Sequence, residues 1–438
     1  MASGAVHHPS FPELVHVFAR IGVLSFGGPA GQIALMHREL VDERRWVEEE
    51  DYLQALNLCT LLPGPEAQQL ATWIGWKLHG SRGGLMAGGL FVLPGALVML
   101  ALSTLYAFAA RLDWFAALFL GIKAAVLAII AQALLRIASR AIRTAFQRLL
   151  AVAAFVALFL FDAPFPLVLL AALTLGAWAG AKRHYWLALK PAEASDAPER
   201  RPWRASARAA AVWISVWAAP MAVVLVFLGH DHVLWDVGVF FSQLAVVTFG
   251  GAYAVLAYMA QEAVSGFGWL AAGEMVDGLG LAETTPGPLI MVTQFVGFLA
   301  AFRAPDPFSP LVAGVLGAAL TTWVTFAPCF LWIFAFAPWM DRLQRASALK
   351  GGLAGVTAAV VGVIANLAIW FALHVLFARV LVLEAGPLKM QWPAWGTFDG
   401  RAVLISAVAL VVIFGLKRGI VTTLAITALI GLGLGWLL

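Results

Sequence analysis

The clusters Phe26-Gly27-Gly28 and Pro63-Gly64-Pro65 interrupt apolar sequence 37 residues apart, and the pair returns 223 residues later as Phe249-Gly250-Gly251 and Pro286-Gly287-Pro288. Glycine lacks a Cβ and proline lacks an amide donor, so both end helices. Inside a lipid-embedded segment such a break frees backbone groups that hydrocarbon cannot satisfy, and it survives only against protein or a watery cavity. Matched breaks in two halves of a membrane chain point to a binding site built from both.

Composition agrees with a membrane setting. Of 438 residues 62% are hydrophobic and 12% charged, and the mean hydropathy is +0.88, far above the globular balance. An excess of four positive charges is too small to imply nucleic acid. Cys59 and Cys329 share no motif, so no disulfide, metal site or cofactor is expected. The stretch Met1 to Ser10 has two histidines and no Lys or Arg, unlike a cleaved signal peptide, so the first apolar segment reads as a retained helix.

Phe11 to Met36 is the first membrane segment, and the polar stretch His37 to Asp51 after it reads as an interfacial amphipathic turn with Leu40, Val41, Trp46 and Val47 between its charges. Tyr52 to His79 is a helix broken at Pro63-Gly64-Pro65. Gly83 to Ala110, which contains Pro94, and Trp114 to Ile137 are full spans. Leu149 to Phe161 and Pro164 to Ala181 read as a tight hairpin around Asp162. Lys182 to Arg208, with seven basic residues and three prolines, is the boundary between halves. Ala209 to Gly229 is an extra span. Leu234 to Ala260, Ala271 to Phe302, Pro310 to Ala337, Gly351 to Phe377, Arg401 to Leu416 and Gly419 to Leu438 complete the second half, with a polar loop from Ala378 to Gly400.

The expected fold is therefore an all-α polytopic membrane protein of about 13 transmembrane segments, in two repeats with broken helices. The expected domains are 1–181, a basic linker 182–208, an extra helix 209–229 and a second repeat 230–438. Glu39 matches Glu262 and Trp46 matches Trp269 at the offset of 223, and after an insertion Pro94 matches Pro328 and Gly121 matches Gly355. The basic loops Arg136 to Arg148, Lys182 to Arg208, Arg342 to Lys350 and Lys417-Arg418 fall on one side if each Pro-Gly-Pro element crosses, which makes that side cytoplasmic and the second repeat inverted. The N-terminus is then cytoplasmic and the C-terminus periplasmic. Arg38, Arg44 and Arg45 are the exception and fall outside.

With these residues in hand, the chain resembles the chromate ion transporter family in its long, two-repeat form. The likeness rests on Phe26 to Gln32, Leu62 to Leu70, the glycine-rich run to Pro94, Phe249-Gly250-Gly251 and Glu283 to Pro288. It implies export of chromate, with sulfate as its chemical analogue, across a bacterial inner membrane. The implied partners are such an oxyanion and the bilayer, with a homodimer compatible and nucleic acid not.

A divalent tetrahedral anion needs donors and positive potential, and helix N-termini supply both. Gly27, Gly28, Gly31, Gly64, Pro65, Gly250, Gly251 and Gly287 would bring backbone to the anion, with Gln68, Gln69, Thr284, Thr285 and Gln294 as neutral donors. The same glycines and prolines equally suit close helix packing. Arg20 and Lys123 are intramembrane cations that would attract the anion or form structural ion pairs. Glu39 and Glu262 are candidates for coupling to protons, or for capping. Glu66 and Glu283 flank the Pro-Gly-Pro turns and would repel an anion unless protonated, paired or turned away. Energy is expected from an ion or potential gradient, since no Walker-type phosphate loop occurs. A channel and an importer of sulfate-like anions remain alternatives. A membrane enzyme would need redox cysteines, a haem or flavin signature or a nucleophile with its base, and the sequence has none of these.

Overall fold

In the computed structural model, residues 8–26, 28–110, 112–188, 203–249 and 252–436 are described. Helix follows wherever the sequence is apolar without Gly-Pro punctuation. The first quarter holds α1 (Phe11–Leu24), α2 (Gly28–His37), α3 (Glu49–Cys59) and α4 (Glu66–Ala109), with a π turn Arg38–Glu43 after α2. α4 is broken at His79 and Gly80, where backbone angles leave the helical region. Next come α5 (Asp113–Ala141), α6 (Ala145–Phe161), α7 (Phe165–Lys182) and α8 (Trp203–Phe227). The second half holds α9 (Val233–Val247), α10 (Ala252–Gln261), α11 (Ala272–Thr284), α12 (Val292–Arg303), α13 (Pro310–Phe336), α14 (Met340–Arg345), α15 (Ser347–Leu376), α16 (Gly400–Leu410) and α17 (Ile420–Trp436).

The two halves of the chain share local features at the matched positions. α1 ends at Leu24 and α9 at Val247, and π turns follow α2 at Arg38 and α10 at Glu262. Gly64 and Gly287 both have positive φ, +110° and +91°, and so do Arg45 and its counterpart Gly268, +53° and +65°. The described residues include six helices long and apolar enough to cross a membrane and five shorter apolar ones.

The chain forms two compact units, each drawn from both halves of the sequence. Met1–Thr104, Glu193–Ala252 and Thr285–Arg345 make the first. Its core gathers Leu14, Phe18, Ile21, Met36, Leu40, Trp46, Val47, Tyr52 and Phe91. Leu40, Trp46 and Val47 are therefore packed inside, which replaces the expected interfacial amphipathic turn: the π turn bends the chain back and swings their side chains inward. Of the outlying arginines, Arg38 pairs with Glu43 at 3.6 Å and Arg44 with Glu39, so the stretch carries its own counter-charges. The extra helix α8 is fastened to α13 by two crossed indole bonds, Trp217 to the Val324 carbonyl and Trp323 to the Val216 carbonyl, at 3.1 and 3.0 Å. Val223, Val226 and Phe227 on α8 are exposed, as a lipid-facing helix requires.

Leu105–Ala192, Tyr253–Thr284 and Ala346–Leu438 make the second unit. A close contact sets Gly176 and Gly180 of α7 against Gly351 and Gly355 of α15, two Gly-x-x-x-Gly stretches face to face. A Cβ on Gly351 would lie 2.8 Å from the Gly180 nitrogen, closer than any side chain tolerates. The expected hairpin of α6 and α7 is present, with Asp162 capping α6 at φ +48°. The segment read as a polar loop instead folds into an antiparallel hairpin, β1 (Val380–Ala385) with β2 (Leu388–Pro393). Gly386, at φ +61°, precedes Pro387, whose ring fixes φ near −65°, the demand of a type II′ turn.

Candidate functional site

Two helix breaks and two Pro-Gly-Pro turns meet within the first unit. α1 ends at Ser25, whose hydroxyl turns back to the Ile21 carbonyl at 2.7 Å. α9 ends at the equivalent Thr248, whose hydroxyl turns back to the Leu244 carbonyl at 2.6 Å. The carbonyls of these two residues are thus left to face outward from their helices. The Gly64 amide donates to the Thr248 carbonyl and the Gly287 amide to the Ser25 carbonyl, both at 2.8 Å. Each Pro-Gly-Pro turn is therefore tied to the broken helix of the other half of the chain, by the same bond at positions matched by the offset of 223. Glycine is required in both turns because φ is positive there.

Three helical starts converge on this junction. α2 begins at Gly28, α4 at Glu66 directly after Pro65, and a short 3₁₀ turn, Leu289–Met291, leads into α12 directly after Pro288. First-turn amides have no partner within their own helix, and the macrodipole of α4 points its positive end inward. Pro29, Gln32, Gly64, Pro65, Glu66, Ala67, Thr248, Pro288, Leu289 and Ile290 line a crevice of about 20 Å³. That is room for about one water, so a tetrahedral oxyanion would need the turns to part.

Side-chain amides brace the junction. Gln32, 1% exposed, donates to the Gly287 carbonyl at 2.6 Å and the Ser25 carbonyl at 3.3 Å, and Gln69 donates to the Pro63 carbonyl at 2.6 Å. The Oε1 atoms of Gln32, Gln68 and Gln69 are buried without partners among the described residues. Glu66 is the one acid in the crevice lining, and it has no ion pair among the described residues. Ser25, Gln32 and Thr248 were not singled out as site residues. For Ser25 and Thr248, a hydroxyl residue directly before each Phe-Gly-Gly was the available signal.

The other candidates are distributed more widely. Gly27, Gly250 and Gly251 lie outside the described residues. Gly31 is packed, since a Cβ there would sit 2.9 Å from the Phe26 carbonyl oxygen. Gln68 is buried against Thr72 at 3.5 Å, and Thr285 is buried too. Gln294 donates to the Ala96 carbonyl at 2.9 Å and lines a different, apolar groove of about 490 Å³ with Leu93, Trp213 and Phe330. Arg20, half exposed, lies 3.7 Å from Glu39, which is 1% exposed and also paired to Arg44. Cys59 and Cys329 are free and buried, and the Cys329 sulfur abuts the Gly64 turn.

In the second unit, Lys123 lies 3.2 Å from Asp277, which also accepts from the Tyr106 hydroxyl at 2.6 Å. Thr284 donates to the Leu281 carbonyl, and Glu283 accepts from Tyr253 at 2.7 Å. Glu262 is half-buried near Asp162, which accepts from Gln261 at 2.5 Å. Burial, and then the Asp162 charge, raise its pKa above the usual carboxylate value. Asp277 and Tyr106 were not foreseen. The signal for Asp277 was its place, between Glu274 and Glu283, inside the apolar run from Ala271 to Phe302.

Comparison with known proteins follows this geometry. The family described as chromate transporter matches residues 12–177 and 235–434. The chromate transport protein of Pseudomonas aeruginosa is 33% identical over 370 residues, covering 81% of this chain and 79% of that protein. The chromate transport protein of Cupriavidus metallidurans is 31% identical over 382 residues, 85% of this chain and 86% of its own. The probable chromate transport protein of Synechococcus elongatus is 29% identical over 369 residues, 82% and 84%. No solved structure matches the chain.

Proposed function

Because the chain belongs to the chromate transporter family, we propose that it is a secondary transporter that carries chromate, and sulfate by chemical analogy, out of the bacterial cytoplasm across the inner membrane. The observation that carries this reading is the pair of equivalent bonds, Gly64 to Thr248 and Gly287 to Ser25, at a junction where helical starts converge. Amides at such starts can bind a dianion without any fixed cation. An arrangement repeated in both halves is what alternating access requires, each half opening the junction toward one face.

On this reading the two repeats are inverted, about 13 segments cross, the N-terminus is cytoplasmic and the C-terminus periplasmic. The linker and the other basic loops then face the cytoplasm. A crevice of about 20 Å³ suits a carrier in a closed state better than an open channel. The substrate contacts are the amides following Pro65 and Pro288, Gly28 with its neighbours, and Gln32 turned from its carbonyl partners. The membrane potential, negative inside, favours exit of a dianion.

The test is chromate accumulation in energised everted vesicles, with sulfate as competitor. Accumulation that sulfate lowers and Gly28→Leu abolishes is expected. Wild-type vesicles that take up no more chromate than empty-vector vesicles would overturn the reading.

A further inference from the structure

Asp277 sits in the interior of α11, 3% exposed, in the second unit. Its Oδ2 takes both donors, the Tyr106 hydroxyl at 2.6 Å and the Lys123 ammonium at 3.2 Å. Its Oδ1 is buried with no partner among the described residues. A structural ion pair in a low-dielectric interior persists when every lone pair is satisfied, and a half-satisfied one is costly. A proton on the open oxygen is the least expensive relief, since it removes the buried charge.

The surroundings offer little else that could answer that charge. Among elements packed on α11, α5 supplies Lys123 and, farther along, Arg136 near Glu283, which is already bonded to Tyr253, and the end of α4 supplies Tyr106. Glu274 lies one turn back on α11 itself. α17 has no titratable residue, and α15 carries only Lys350 and His374, near its two ends. Gly273 keeps the approach to Lys123 open, since a Cβ there would lie 3.3 Å from Nζ. Lys123 is 27% exposed, so water reaches its ammonium when its partner is neutral.

We propose that Asp277 takes up and releases one proton in each transport cycle, with Lys123 and Tyr106 holding its ionised form, so that oxyanion movement is linked to the proton gradient. This rests on the transporter reading above. The proton comes from water on one side, binds at Oδ1 and leaves to water on the other. Protonation leaves Lys123 as an uncompensated cation, whose added positive potential favours the anion in the protein, so proton and anion travel together. A dianion with one proton still carries net negative charge, and the membrane potential still drives it outward.

The experiment uses the full chain in proteoliposomes, with the membrane potential clamped and a pH gradient imposed. One proton per anion predicts a shift of the steady-state chromate ratio of about tenfold per pH unit. Asp277→Asn is expected to keep chromate counterflow between equal pools and to lose the response to the gradient. A wild type indifferent to the gradient, or an Asp277→Asn protein that follows it like wild type, overturns the proposal. Infrared difference spectra of the purified protein test the proton site without substrate. A protonated-carboxyl band that appears on acidification and is missing in Asp277→Asn supports it, and a band unchanged by the substitution overturns it. If that band is present while the wild type moves no chromate, the substrate reading fails and the proton site stands.

Discussion

Gly64→Ala and Gly287→Ala would separate backbone strain from side-chain clash at the crossed turns. Both positions have φ far into the positive region, +110° and +91°, which costs a non-glycine residue about 1–3 kcal/mol. At Gly287 a Cβ would meet the Gly95 Cα at 3.4 Å, an ordinary contact, so strain is the whole effect. At Gly64 it would also meet the Cys329 sulfur at 2.9 Å and Gln69 Nε2 at 3.0 Å. Overpacking of that kind adds about 1–3 kcal/mol. Gly287→Ala should therefore reduce the population with both turns closed by roughly fivefold to 150-fold, and Gly64→Ala should reduce it further. Cys329→Ala should recover part of the Gly64→Ala defect and none of the Gly287→Ala defect. Initial rates of chromate uptake in everted vesicles, beside thermal unfolding in detergent, give the two readouts. Equal defects for the two alanines, or no rescue by Cys329→Ala, would refute the reasoning.

Arg44→Ala should destabilise the protein by about 3–5 kcal/mol, because it strips the buried Glu39 of its closest partner; Glu39→Gln in the same background should recover part of that loss in thermal unfolding. Burial opposes charging of His37, but Glu49 at 2.6 Å and Asp42 at 3.2 Å outweigh it and raise its pKa above 6.5. Its stabilising contribution is then complete below pH 6.5 and fades as pH rises through the raised value, so the stability gap between wild type and His37→Gln should narrow toward alkaline pH. Gly351→Leu should prevent folding by forcing α7 from α15, which size-exclusion profiles of the detergent-solubilised protein would reveal.

The breaks, their matched spacing and most helix limits were legible because they are written locally. Proline and glycine act on their own turn, and an offset of 223 residues needs no knowledge of the fold. The hairpin was legible too, in the β-rich run Val380-Leu381-Val382-Leu383 before Gly386-Pro387, but its polar neighbours made it look like a loop. What could not be read was pairing across sequence. Nothing near Lys123 announces Asp277, and nothing near Gly64 announces Thr248. The polar stretch after α2 misled for a related reason: its periodicity does not show the π turn that points Leu40 and Trp46 inward.

The crossed bonds at Gly64 and Gly287 also fix an order for biogenesis. The first turn, Pro63-Gly64-Pro65, is synthesised long before the carbonyl of Thr248 that receives its amide. Until the second half is inserted, that amide has to be met by water or by the insertion machinery. Halves made as separate chains, cut in the linker, should therefore be degraded singly and rescue one another when made together.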